Sequence, residues 1–176
     1  MSETFEFTVE NRQEIDRILS RYPVKRAAML PTLHLAQQQH GHITSVIEEH
    51  VARLLEVPVV DVREVISFYS LFTQKPLGNH HIRLCMSISC WVRGCDQIRD
   101  YLQEKLGVAP EHTTSDGNIS WEAVPDCLGA CELAPMLQLD GYFEGPLQES
   151  DVDQILSRCR SDSAANGSKA DAGSGE

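Results

Sequence analysis

Two short segments contain most of the cysteines of this chain, and their spacing constrains the possible fold more than any other feature. Cys85 and Cys90 are separated by four residues, and Cys127 and Cys131 are separated by three. Thirty-six residues lie between the two pairs. If the four thiols act together, the fold must bring two distant loops to the same place.

The composition restricts the setting in which these thiols work. With 41% hydrophobic residues among 176, the chain can bury a core without disulfide staples. Its formal net charge is −11, from 15 basic and 26 acidic residues. Such an acidic chain disfavours both a nucleic-acid surface and docking on anionic lipid.

The first residues, MSETFEFTVENRQE, show neither a secretory signal nor an Arg-rich transit peptide. No apolar run approaches the ~18 residues that span a membrane. We therefore expect a cytoplasmic protein whose thiols are kept reduced. Cysteine clusters in that setting bind metal or catalyse more often than they form disulfides.

The spacing of the pairs leaves more than one kind of site open. Both gaps fall within the range of structural zinc sites, although tight zinc knuckles usually place two residues between their ligands. A thioredoxin-type Cys-x-x-Cys motif and the spacing of plant-type ferredoxins are absent. Four thiolates in two loops also match a [2Fe–2S] cluster, and Gly129 would let the backbone approach it closely. An iron–sulfur cluster, a structural zinc site and a thiol–disulfide switch all remain open.

The N-terminal part of the sequence predicts a small helical bundle. Apolar residues recur at helical period in four segments of residues 11–72, with breaks at Gly41 and Pro58. Ser45 and Glu48 have the spacing of a capping box at the start of the third helix. Pro and Gly in residues 73–81 then indicate a linker.

The rest of the sequence predicts a mixed α/β unit. Residues 81–87, HIRLCMS, are typical of a strand that runs into the first cysteine pair, and residues 96–107 form an amphipathic helix. Asp116-Gly117 and Asp140-Gly141 each indicate a β-hairpin. A last short helix begins at Ser150.

The predicted fold class is therefore α+β, followed by a Ser-, Ala- and Gly-rich segment with little to bury, which indicates a disordered tail. The predicted boundaries are residues 1–76 for the bundle, 77–160 for the mixed unit and 161–176 for the tail.

The remaining cysteines and the histidines predict no site of their own. Cys95 begins the helix after the first pair, where a helix N-terminus can lower a thiol pKa, but we expect a small packed side chain. Cys159 lies on the last helix, and we expect no function for it. None of the seven histidines is expected to be a ligand.

Five motifs follow one another in an order that resembles one family. They are YPVKRAAMLPTLHLAQQQHG (22–41), VREVISFYSLF (62–72), RLCMSISCWVRGC (83–95), SDGNISWEAVPDCLGACELAP (115–135) and LDGYFEG (139–145). Together they resemble the NuoE-like iron–sulfur subunit of NADH:quinone oxidoreductase (complex I), over about residues 15–160. Cys95 departs from the family, which usually has a small non-cysteine residue there.

This resemblance implies a helical bundle followed by a thioredoxin-like domain that carries one [2Fe–2S] cluster. Cys85, Cys90, Cys127 and Cys131 fall on the family's four ligand positions. The resemblance implies docking on a flavoprotein that binds FMN and oxidises NADH, beside a further iron–sulfur subunit. The cluster would exchange electrons with the flavin, at the cytoplasmic face of the membrane.

The parent complex stays open, because the same module serves NAD-linked formate dehydrogenases and bidirectional or NADP-reducing hydrogenases. A structural zinc-binding interaction module is the alternative from another class. The sequence contains no Gly-x-Gly-x-x-Gly motif and no nucleophile–base pairing, so we predict no flavin or nicotinamide site and no catalysis by the chain alone. We also predict that the bundle docks on the flavoprotein through aromatic residues such as Phe68, Tyr69 and Phe72.

Overall fold

The computed structural model describes the backbone of residues 4–170 and the side chains of residues 4–162. The chain divides into two compact units, with the boundary between Pro76 and Leu77. The first unit is helical, and the second combines helices with a five-stranded sheet. The predicted mixture of helix and sheet is therefore confirmed. None of the helices described in residues 4–170 has the length and apolar character needed to cross a membrane.

Four α-helices form the first unit, as the hydrophobic period predicts. They are α1 (Val9–Leu19), α2 (Met29–His40), α3 (Ser45–Leu55) and α4 (Val59–Phe68), and a short 3-10 helix (Lys25–Ala28) leads into α2. Their apolar faces bury a common core that includes Leu33, Ile47 and Val51. Burial of these faces, more than helix propensity, stabilises helices as short as these.

The aromatic residues predicted to dock on a partner lie at different depths. Phe72 is buried in the core of the first unit, whereas Phe68 is exposed at the end of α4. The side chain of Gln37 holds the backbone on both sides of Phe72, because its amide group donates to the carbonyl oxygen of Leu71 and accepts the N–H of Thr73. Phe72 therefore serves the fold, Tyr69 is partly buried, and Phe68 is exposed.

The start of α3 differs from the predicted capping box. The N-cap is Thr44, whose hydroxyl oxygen accepts the N–H of Ile47, so Ser45 is already the first helical residue. Glu48 is buried, and its carboxylate forms an ion pair with Arg63 of α4 at 2.7 Å. The carboxylate thus joins two helices and is not the capping group.

A five-stranded sheet in the order β2-β3-β1-β4-β5 supports the second unit. The strands are β1 (His80–Cys85), β2 (His112–Thr113), β3 (Ile119–Val124), β4 (Leu137–Leu139) and β5 (Tyr142–Glu144). β1 and β3 are parallel, and the other neighbours are antiparallel. Asp-Gly turns join β2 to β3 and β4 to β5, so both predicted hairpins are confirmed.

Three helices complete the second unit: α5 (Ile88–Val92), α6 (Cys95–Leu106) and α7 (Glu149–Ala170). Ile98 and Leu102 of α6 and Ile155 of α7 share one core with the sheet. Trp121 of β3 is fully buried there, and its indole N–H donates to the carbonyl oxygen of Val108.

The backbone of α7 continues to Ala170, whereas the sequence predicts a disordered tail from residue 161. The first turns of α7 pack on the sheet, and a helix that is already nucleated adds further residues at little cost. The remainder of the predicted tail, residues 171–176, lies outside the described residues.

Candidate metal centre

Two adjacent parallel strands end where the cysteine loops begin. β1 ends at Cys85, which lies opposite Val124, the last residue of β3. The N–H of Met86 donates to the carbonyl oxygen of Val124 at 2.8 Å, so the two chain segments leave the sheet side by side. Because Cys127 follows Val124 by three residues, this register brings the two cysteine loops to the same edge of the sheet.

The first pair is buried. Cys85 is 2% exposed and Cys90 is 1% exposed. The backbone N–H of Cys85 donates to the carbonyl oxygen of Met136, which ties the pair to the residue just before β4. Burial raises the pKa of Cys90 to about 12, and a hydrogen bond with Cys85 adds to this effect. Without a metal, Cys90 is therefore a neutral thiol in an apolar pocket.

The second pair is exposed. The sulfur atoms of Cys127 and Cys131 lie 3.4 Å apart, and both side chains reach solvent. A backbone hydrogen bond from Gly129 lowers the pKa of Cys127, and a hydrogen bond from Cys131 adds to it. The pKa of Cys131 is raised, chiefly by its hydrogen bond with Cys127. This pair therefore holds its first negative charge on Cys127.

Gly129 can direct its N–H at Cys127 because its backbone has a φ of +89°. This left-handed region is open to glycine and strained for residues with a side chain. The sequence predicts a close backbone approach at Gly129, and the structure places this N–H against a cysteine sulfur.

Two serines of the first loop contact the sulfurs of the second. The hydroxyl of Ser87 forms a hydrogen bond with Cys127, and that of Ser89 forms one with Cys131. Ser87 is the N-cap residue of α5, yet its side chain makes no capping bond to the helix. Sequence reasoning missed both serines, because only contact between the two loops gives their hydroxyls this role.

The four cysteines singled out by the sequence thus lie at one edge of the sheet, as two pairs at two depths. Within the part of the chain that the structure describes, no three His, Cys, Asp or Glu side chains form a group that could hold one metal ion. Two thiolates on one tetrahedral metal lie ~3.8 Å apart when each metal–sulfur bond is about 2.3 Å. The 3.4 Å between Cys127 and Cys131 is close to that distance. Two such pairs are the donor set of a cluster in which each iron takes two thiolates.

Cys95 lies beside the first pair and is fully buried, as the sequence predicts for a small packed side chain. Burial raises the pKa of its thiol, and the neighbouring Asp96 raises it further. Cys159 is buried in the core between α7 and the sheet, where burial raises its pKa to about 11. Neither cysteine is an exposed thiol.

Comparison with known proteins shows which family this chain resembles. The family described as thioredoxin-like [2Fe–2S] ferredoxin matches residues 15–160. The E 2 subunit of NADH-quinone oxidoreductase from Rhizobium meliloti is 38% identical over 149 residues, which cover 85% of this chain and 88% of that protein. The E subunit of NADH-quinone oxidoreductase from Rickettsia bellii is 40% identical over 162 residues, which cover 90% of this chain and 96% of that protein.

Solved structures show the same fold. A chain of an NAD+-reducing [NiFe]-hydrogenase in the air-oxidized state matches with a TM-score of 0.64 at 18% identity, over 76% of this chain and 23% of that chain. This chain spans less than a quarter of that hydrogenase chain, and at such low identity the likeness concerns the fold alone.

Proposed function

The chain belongs to the thioredoxin-like [2Fe–2S] ferredoxin family, and we propose that it is the electron-transfer subunit of the NADH dehydrogenase module of an NADH:quinone oxidoreductase. One observation of the structure carries this proposal. Two pairs of cysteines meet at one edge of the sheet, one pair buried and the other open to a partner. Relatives that bear the name of this subunit match most of the chain at close to their full length.

Each cysteine pair would hold one iron of the cluster. The buried pair, Cys85 and Cys90, is anchored by β1 and by the backbone at Met136. The exposed pair, Cys127 and Cys131, is oriented by the N–H of Gly129 and by two serine hydroxyls. When bound, a [2Fe–2S] cluster takes up and releases one electron.

The partner in this proposal is a flavoprotein that binds FMN and NADH, together with a further iron–sulfur subunit of the same complex. A flavin accepts two electrons at once, whereas the cluster site of this chain handles one. The residues of this chain therefore hold a one-electron store beside the flavin, and the complex brings it to the cytoplasmic face of the membrane. Hydride transfer belongs to the partner.

The proposal is tested with the anaerobically purified chain and with its complex with the FMN flavoprotein. We expect two irons and two acid-labile sulfides per chain, and a red-brown protein whose EPR signal appears on reduction by dithionite. NADH should produce that signal in the complex and not in the isolated chain. A colourless protein that contains stoichiometric zinc would instead support a structural zinc module.

A further inference from the structure

The short helix α5 presents an apolar face to solvent directly beside the candidate metal centre. Ile88 is 69% exposed, Trp91 is 57% exposed and Val92 is 74% exposed. These residues occupy positions i, i+3 and i+4, which lie on one side of an α-helix. Cys90, in contrast, is buried on the side that faces the protein. The requirement to bury one cysteine therefore turns three large apolar side chains outward.

This face adjoins the exposed cysteine pair. Ser87 and Ser89, at the start of α5, are the residues whose hydroxyls contact Cys127 and Cys131. A protein that approaches the exposed sulfurs closely must therefore also approach α5.

The surroundings match the usual arrangement of a protein–protein interface. Arg93 follows the apolar residues, while Asp126 and Glu132 flank the second pair, and all three are exposed. An apolar centre with an aromatic anchor, inside a charged rim, is typical of such interfaces, and Trp is enriched among the residues that dominate binding energy.

We propose that the apolar face of α5, formed by Ile88, Trp91 and Val92, is the surface on which the FMN-bearing flavoprotein docks. This inference rests on the proposed function. Electron exchange requires the partner's cofactor to come near the cluster, and the exposed pair is the side of the site from which it can approach. A second copy of this chain bound stably here would cover the exposed pair and keep the electron donor away. An anionic membrane is disfavoured by the net charge of −11.

Binding to the flavoprotein of the same complex tests this inference, measured with the cluster-loaded chain by biolayer interferometry. We expect Trp91→Ser and Val92→Glu each to weaken binding by about tenfold or more, as loss of an anchor at the centre of an interface does. Both variants should keep the iron content and the sulfide content of the wild type. Val92→Glu provides a second readout should Trp91→Ser lose part of its cluster.

Tyr142→Ser is the matched control. Tyr142 is 78% exposed at the start of β5, where it pairs with Leu139, and Leu139 in turn pairs with Ile82 in the half of β1 that lies away from Cys85. This variant removes a comparably exposed aromatic side chain far from the cysteine loops. It should bind the flavoprotein as the wild type does.

The outcomes separate the inference from the proposed function. If NADH and the flavoprotein do not reduce the wild-type cluster, the proposed function fails, whatever the variants do. If the wild type is reduced, and Trp91→Ser and Val92→Glu bind the flavoprotein with wild-type affinity, the docking surface is wrong. It is also wrong if the wild type forms a dimer in light scattering that Trp91→Ser converts to monomers without any loss of affinity for the flavoprotein.

Discussion

The two cysteine pairs have the same chemistry at different depths. Cys85 and Cys90 lie in an apolar pocket, at the end of a central strand and on the inner side of α5. Cys127 and Cys131 lie in a loop and a 3-10 turn that reach solvent. In the proposed centre, the first pair would fix the position of the cluster, and the second would give a partner access to it.

The surroundings of Cys90 and of Cys127 shift the pKa of these two thiols in opposite directions. Burial raises the pKa of Cys90, because an apolar pocket disfavours a thiolate. The N–H of Gly129 lowers the pKa of Cys127, because it donates to the charged form. Negative charge is therefore more easily placed on Cys127 than on Cys90, and Cys127 is also a thiol that a hydroxyl group contacts. One fold would thus separate holding the proposed cluster from tuning it.

The largest expected effect comes from removing any of the four thiols. Cys85→Ala, Cys90→Ala, Cys127→Ala and Cys131→Ala should each reduce iron and acid-labile sulfide to a small fraction of the wild-type content. Each change leaves an iron with an open coordination position, so depth should not protect either pair. Metal analysis of the anaerobically purified variants measures this.

Cys95→Ala and Cys159→Ala are the controls, because both side chains are buried and neither is assigned to the centre. Both variants should keep the cluster. Loss of iron in Cys95→Ala together with its retention in Cys90→Ala would reverse the assignment within the first loop.

An intermediate effect is expected from Gly129→Ala, which strains only the loop that carries the exposed pair. The backbone φ of +89° is unfavourable for alanine by ~1–2 kcal/mol, although no neighbouring atom would clash with the new methyl group. Opening of the loop relieves this strain, so iron should be lost to a chelator about tenfold faster, which corresponds to ~1.4 kcal/mol. The rate of bleaching of the visible absorbance measures this loss.

Gly117→Ala is the control, because it introduces similar backbone strain at a site away from the cysteines. Gly117 has a φ of +70° and equally open surroundings, but it lies in the β2–β3 turn, away from the cysteines. Both variants should lose similar thermal stability, and only Gly129→Ala should release iron faster. Equal rates of iron loss in the two variants would mean that the loop of the exposed pair does not control the retention of iron.

The sequence predicts the secondary-structure elements around this site better than it predicts how deeply the cysteines are buried. The period of Ile98 and Leu102 predicts α6, the Asp-Gly turns predict the hairpins, and the resemblance to the family singles out the four cysteines. These are local signals, which tertiary packing leaves in place.

Tertiary contacts decide the features that the sequence does not predict. The burial of Cys90 and the exposure of Cys131 follow from the sheet register and not from the residues beside them. The N-cap of α3 is Thr44 and not the predicted Ser45, and Glu48 pairs with Arg63 of another helix. The contacts between serines and cysteines also appear only once the two loops meet.

The smallest expected effect comes from Ser87→Ala, which removes one hydroxyl group that contacts the exposed pair. Its hydrogen bond to Cys127 stabilises the more negative reduced state, so its loss should lower the reduction potential. The expected shift is on the order of tens of millivolts for one electron. The serine side chain makes no capping bond, so α5 should persist, and Ser87→Thr should restore the potential because it keeps the hydroxyl. A redox titration followed by EPR measures the shift. An unchanged potential in Ser87→Ala would show that the hydroxyl of Ser87 does not influence the reduction potential.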